Sequence, residues 1–198
     1  MTFESLSSPT MVIVSLTAAL LLLSRDWRVS VVTLAVQYSG VFVLTALSWP
    51  LEMAAVKLVA GWMACAILGL ALMEMPRRGR EEISPPLSHA LFRLLAAVLM
   101  GLMVLSVAPT VATWIPTIAL GQTIGGLMLF GLGLLQLGLT EKPLGVTLGL
   151  LTVLSGFEIL YAVVESSTLV SGLLACVHLG LALAGGYLLA GETVSEVS

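Results

Sequence analysis

The chain reads as long apolar runs broken by short polar punctuation. Seven runs lie at residues 8–24, 29–48, 51–75, 87–108, 114–139, 144–164 and 169–190. Most approach the ~20 apolar residues that a bilayer-spanning helix requires; the first is short. The breaks are charges, prolines and small polar clusters. Ser24, Arg25, Asp26 and Arg28 separate the first two runs, Trp49-Pro50 precedes the third, Pro109 ends the fourth, and Thr140, Glu141, Lys142 and Pro143 end the fifth. Glu165 and two serines lead into the seventh. Only residues 76–86 are long enough to form a loop of their own. The pattern predicts an all-α polytopic membrane protein, with one integral membrane domain over residues 1–198. Tight connections make consecutive helices antiparallel neighbours and leave no room for an extramembrane domain. Any chemistry then takes place inside the bilayer or on a partner.

Composition agrees. Hydrophobic residues make up 59% of the 198 and charged residues 10%, with a mean hydropathy of +1.11, against about 45–50% and about 25% in soluble domains. So few charges cannot cover a soluble surface, which excludes a soluble enzyme, a disordered tail, a disulfide scaffold and a nucleic-acid binder. The net charge of −3 matters less than where the charges sit. When seven spans are threaded alternately, Arg25, Arg28, Arg77, Arg78, Arg80, Arg93 and Lys142 all fall on one side. By the positive-inside rule that side is cytoplasmic, which puts the N-terminus outside, the C-terminus inside, and the chain in the cell's inner (plasma) membrane as a multi-pass protein. Trp49 and Trp114 fall at predicted outer ends and Trp27 at an inner end, where an aromatic belt belongs. The first ten residues carry Glu4 and no Lys or Arg, so the first run is expected to be a retained helix rather than a signal peptide. Cys65 and Cys176 each sit in an apolar stretch and read as small buried hydrophobes.

Polar residues inside the runs carry the chemistry, because each is expensive in hydrocarbon: about 2.5–3.5 kcal/mol or more for a charge at a helix centre. Lys57, two turns into the third run, is the sharpest. It is read either as a buried lysine in a proton or ion path or as a snorkelling or ion-paired structural lysine. Glu158 shares a helical face with Tyr161 and Glu165 and lies deeper than Glu165; it is a relay carboxyl or a neutral hydrogen-bonded acid. His178, near the middle of the seventh run, has the chemistry of a proton relay and also that of a satisfied core histidine. Gln37, Tyr38, Gln122 and Gln136 are expected to make interhelical hydrogen bonds. Glycines are dense in the fifth and sixth runs, and Gly145 and Gly149 form a small-xxx-small pair that lets helices approach closely. The sequence holds no haem ligand pair, cysteine cluster or nucleotide loop, so no metal, no cofactor and no independent catalysis is expected.

Two three-span blocks, the first to third and fifth to seventh runs, have the same orientation and similar polar turns, joined by the fourth; they suggest a parallel duplication. Lys57 in its setting of Ala54, Ala55, Val56, Leu58 and Val59 resembles the lysine-bearing third helix of hydrogenase-4 component E. Ala90 to Ala97, opening the fourth helix after a short loop, agrees in order. The fifth to seventh runs are similar to the three-helix K subunit (chain 4L) of respiratory complex I. The resemblance implies a non-catalytic membrane subunit beside antiporter-like partner subunits, contributing buried ionisable groups to a proton or cation route. It carries a relay role onto Lys57 alone. The family's sixth-span glutamate falls near Thr152, so Glu158 and His178 are candidates by their own chemistry. A stand-alone transporter or channel and a purely structural membrane protein are the alternatives.

Overall fold

A computed structural model describes residues 3–24, 26–74, 87–114 and 118–195. Arg25 and the predicted loop at 76–86, with Arg77, Arg78 and Arg80, lie outside the described residues. The described residues form seven α-helices and no strand: α1 (Phe3–Leu23), α2 (Trp27–Thr45), α3 (Leu51–Glu74), α4 (Leu87–Trp114), α5 (Leu120–Leu139), α6 (Pro143–Val164) and α7 (Thr168–Ser195). Six of them, α2 to α7, are long and apolar enough to cross a membrane. The exception is α1, whose apolar stretch, Ser7–Leu23, is shorter.

Local chemistry sets several boundaries. Asp26 caps α2 by accepting a hydrogen bond from the Arg28 N–H at 3.0 Å, satisfying one of the donors a helix start leaves open. Pro143 opens α6, where its missing N–H costs nothing. Several predicted edges moved: α1 starts at Phe3 instead of 8, α5 at Leu120 instead of 114, and α7 ends at Ser195 instead of 190. Pro109 was expected to end the fourth helix, but α4 runs through it to Trp114. A proline inside a membrane helix is tolerated where local adjustments absorb the freed carbonyl. Trp114 therefore closes α4 instead of opening the fifth helix. At the end of α2, the Ser48 and Trp49 amides both turn back to the Thr45 carbonyl, at 3.0 and 2.8 Å. The helix stops there, three residues short of the expected 48.

The helices pack as a ring in the order α1, α2, α3, α7, α6, α5 and back to α1, with α2 and α6 touching across the middle. Helix α4 lies outside the ring against α5 and α1. Its most hydrophobic stretch is only 17% buried. Two apolar clusters fill the ring, one around Leu34, Leu68, Leu151 and Ala182, the other around Val14, Leu44, Leu129 and Ile159. Glycine brings α5 and α6 together. A Cβ on Gly126 would sit 3.2 Å from the Gly156 carbonyl oxygen, and one on Gly133 would sit 3.0 Å from that of Gly149. The contact thus repeats every seven residues along both helices. Gly149 belongs to it. Gly145 does not, because a Cβ there would strike the Thr140 side chain in the turn before α6.

Element bounds of the two three-helix blocks coincide under one numbering shift. Moving along the chain by 116, the separation of Trp49 from Glu165, carries Trp27 onto Pro143, the first residues of α2 and α6, and Leu23 onto Leu139, the last residues of α1 and α5. The first residue of α3 lands one residue before the first of α7. Gly40 is packed against Val14, and its counterpart Gly156 against Phe130, the counterpart of Val14. Leu34, Ser39, Gly40, Leu44 and Ala46 recur as Leu150, Ser155, Gly156, Leu160 and Ala162. Each helix of the first half also packs on its own counterpart: α1 on α5, α2 on α6, α3 on α7.

Candidate functional site

Lys57, Glu158 and His178 come from three helices and meet at one point. Lys57 lies two turns into α3, Glu158 two turns before the end of α6, and His178 in the first half of α7. These depths coincide because α3 and α7 run in the same direction and α6 runs against them. Lys57 Nζ makes a direct ion pair with Glu158 Oε1. It also lies 3.1 Å from His178 Nδ1, which is 3.3 Å from the same Glu158 oxygen. The side chains are 2%, 0% and 0% exposed. Snorkelling is therefore not how this lysine is accommodated; its charge is met by a carboxylate inside the protein. A buried ion pair is stabilising only if geometry and further hydrogen bonds offset desolvation.

The histidine makes the cluster responsive. Its Nδ1 faces one donor, Lys57 Nζ, and two acceptors, Glu158 Oε1 and the Leu174 carbonyl at 3.0 Å. An unprotonated Nδ1 accepts from the ammonium; a protonated one donates to Leu174 or Glu158. The proton at this atom and the ammonium of Lys57 therefore compete for the same small space. Two further atoms, Glu158 Oε2 and His178 Nε2, are buried with no hydrogen-bond partner among the described residues. Buried polar atoms of this kind call for a functional or solvent partner.

Tyr38 of α2 closes the cluster. Its ring meets the imidazole edge-on, with centroids 5.6 Å apart at 63°. On the other side it presses on Gly61, where any Cβ would collide with the ring. Gly61 lies one turn beyond Lys57 on the same face of α3, so one helix face holds the lysine and makes room for the tyrosine that orients the histidine. From sequence, Tyr38 is expected only as an interhelical hydrogen-bonder. Its partnership with Gly61 spans two helices and leaves no trace in local spacing.

From the cluster, buried polar side chains continue toward the starts of α2 and α6. Ser155 and Thr152 follow Glu158 on α6, and Gln37, Thr33 and Ser30 share one face of α2; all are buried. The Gln37 amide donates to the Thr152 hydroxyl at 3.4 Å. Ser30 reaches the Ser24 hydroxyl at 3.2 Å, at the end where the basic residues lie.

The other candidate residues are elsewhere. Gln122 donates to the Ser48 hydroxyl at 3.0 Å and to the Ile159 carbonyl at 3.4 Å, tying α5 to the end of α2 and to α6. Gln136 donates to the Gly145 carbonyl at 3.1 Å. Tyr161 does not join Glu158; its ring stacks on Phe157 at 5.6 Å while Glu158 turns to Lys57. Trp49, expected in an aromatic belt, is 3% exposed. Its indole N–H donates to the Glu165 carbonyl at 2.8 Å, a bond worth more to a buried indole than the interface. Trp114 is 76% exposed. Cys65 is buried, but Cys176 is exposed: it lies two residues from His178 and so faces away from the cluster. Among the described residues no group of three His, Cys, Asp or Glu is placed to hold a metal ion.

Comparison with family models, curated proteins and solved structures finds no match. The functional reading therefore rests on the residues themselves.

Proposed function

We propose that this chain is a non-catalytic membrane subunit of a complex I-like or membrane-bound hydrogenase-like assembly. In this reading it crosses the membrane seven times, with the basic ends of its helices in the cytoplasm and its two three-helix halves joined by α4. It packs beside antiporter-like subunits, and Lys57, Glu158 and His178 form a protonatable relay in a proton or cation path. The observation that carries the reading is the meeting of three buried ionisable side chains from three helices, because intramembrane charges of this kind mark ion pathways and proton relays. In this reading the Lys57 ammonium passes a proton to His178 Nδ1, and the neutral amine left behind takes up the proton that arrives. The Glu158 carboxylate stabilises both forms. The polar face of α2 and α6 supplies the approach from the basic side.

The test is purification in mild detergent, followed by ion-flux measurement on the intact assembly. Copurification with larger antiporter-like and peripheral redox proteins is expected, and Lys57→Ala or Glu158→Gln should uncouple flux from electron transfer. A stable lone monomer with no partner would overturn the subunit reading. Unchanged coupled flux in both variants would remove the relay and leave a scaffold.

A second reading has one observation in its favour. Parallel three-helix repeats occur in transporters, which place substrate at the repeat contact. Here that contact, α2 on α6, is bridged by Gln37 and Thr152, and the charges sit to one side of it. Flux through the chain reconstituted alone would favour this reading.

A further inference from the structure

A cleft of about 550 Å³ opens at the end of the bundle where α4 starts and α5 turns into α6. Its polar lining is His89, Arg93, Thr140, Glu141 and Lys142; its apolar lining is Phe92, Gly138 and Leu139. Arg93 holds the site together. Its guanidinium donates to the Leu22 carbonyl at 3.3 Å and the Leu139 carbonyl at 3.2 Å, at the C-terminal ends of α1 and α5. Cations are favoured at such ends. Among the described residues these bonds use two of the five donors an arginine carries, and both anchors fix the group at the edge of the cleft. Lys142 stands at the start of α6, which no side chain caps. Two cations, one of them anchored, with His89 and one carboxylate, Glu141, leave a net positive rim. Below the rim, Phe92 is 59% exposed, and beside Gly138 nothing lies within 4 Å.

We infer that this cleft binds the headgroup of an anionic phospholipid. The phosphodiester faces Arg93 and Lys142, and the acyl chains run down the groove between α4 and α5 past Phe92 and Gly138. A polar rim above an apolar floor matches a lipid at the headgroup boundary, and basic pockets between membrane helices take such headgroups. A free phosphate would have no use for the apolar half. Because the cleft lies at helix ends, the inference holds for either orientation and does not depend on the relay.

The experiment is native mass spectrometry of the detergent-purified full chain, titrated separately with phosphatidylglycerol, phosphatidylcholine and inorganic phosphate. One retained phosphatidylglycerol is expected, in preference to phosphatidylcholine. Removing one surface cation weakens such binding about five-fold, so Lys142→Ala should lose about that much and Lys142→Glu more. Gly138→Leu should fill the groove, and its Cβ meets nothing within 4 Å. Arg93→Ala also removes a helix-end contact, so Lys142 and Gly138 are the deciding positions. Equal retention of the two lipids, unaltered binding in both Lys142 variants and Gly138→Leu, or displacement of the lipid by inorganic phosphate at matched concentration would each overturn the inference.

Discussion

Removing one partner of the Lys57–Glu158 pair should cost far more than removing both. The two side chains are 2% and 0% exposed, so the survivor of a single substitution is left buried, with the His178 imidazole beside it but without its counter-ion. Breaking a buried pair in this way costs about 3–5 kcal/mol, whereas replacing both members by apolar residues of similar size is often neutral or stabilising by about 1–4 kcal/mol. Lys57→Met and Glu158→Leu keep the volume and remove the charge. Each alone should shift the unfolding equilibrium by about two to three and a half decades, at about 1.4 kcal/mol per decade. The double variant should return close to the parent, so the coupling energy is large and opposite in sign to the single losses. The assay is SDS-driven unfolding in mixed micelles, followed by the fluorescence of the chain's four tryptophans. A chain carrying only Lys57→Met should recover part of its loss at low pH, where the stranded carboxyl takes up a proton. A double variant as unstable as the sum of the singles would refute the reasoning, because Lys57 and Glu158 would then be acting independently.

Other substitutions test other contacts. Gly61→Ala should push the Tyr38 ring off His178 and cost about 1–3 kcal/mol as overpacking, read by the same unfolding titration; Tyr38→Ala in that background should relieve the clash. Gly156→Ala would place a Cβ 2.7 Å from the Gly126 carbonyl oxygen and 3.0 Å from Leu129 Cβ. Backbone cannot swing aside, so a loss of about 1–3 kcal/mol is expected, while Gly172→Ala, with nothing within 4 Å, should be neutral or stabilising. Trp49→Phe should lose about 1 kcal/mol through the bond to Glu165. In a background free of native cysteines, a membrane-impermeant maleimide added to intact cells should label a cysteine at Ser167 and spare one at Thr140; the reverse pattern would invert the proposed orientation.

The helices were legible because a bilayer core demands long apolar runs and tolerates few interruptions. Two of the misplaced edges, at Pro109 and at Thr45, lie where tertiary context or backbone turns outweigh local preference. The candidate residues were legible one at a time, since a Lys, Glu or His in an apolar run stands out. Their meeting was not. Lys57 and Glu158 are 101 residues apart and Lys57 and His178 are 121 apart, and only the packing of α3, α6 and α7 brings them together. The role of Tyr38 was hidden for the same reason, because aromatic residues are ordinary in membrane helices and the matching gap at Gly61 is on another helix. Gly145 shows the converse: its spacing to Gly149 fits a helix-contact motif, yet a turn side chain occupies the space beside it.

The numbering shift that relates the halves has a consequence for stoichiometry. Helices that all pack on their own counterparts, in the same order and running the same way, make a heterologous contact, one face of the first half against a different face of the second. Either half paired with a copy of itself would keep that contact and lose the cluster. The shift carries Lys57 onto Leu173, Glu158 onto Phe42 and His178 onto Trp62. Two first halves would bring two lysines and neither the acid nor the imidazole, and two second halves would bring the acids and imidazoles without a lysine. Joining one of each in a single chain makes the charges arrive one to one, so every molecule carries one balanced cluster whatever its neighbours in the membrane.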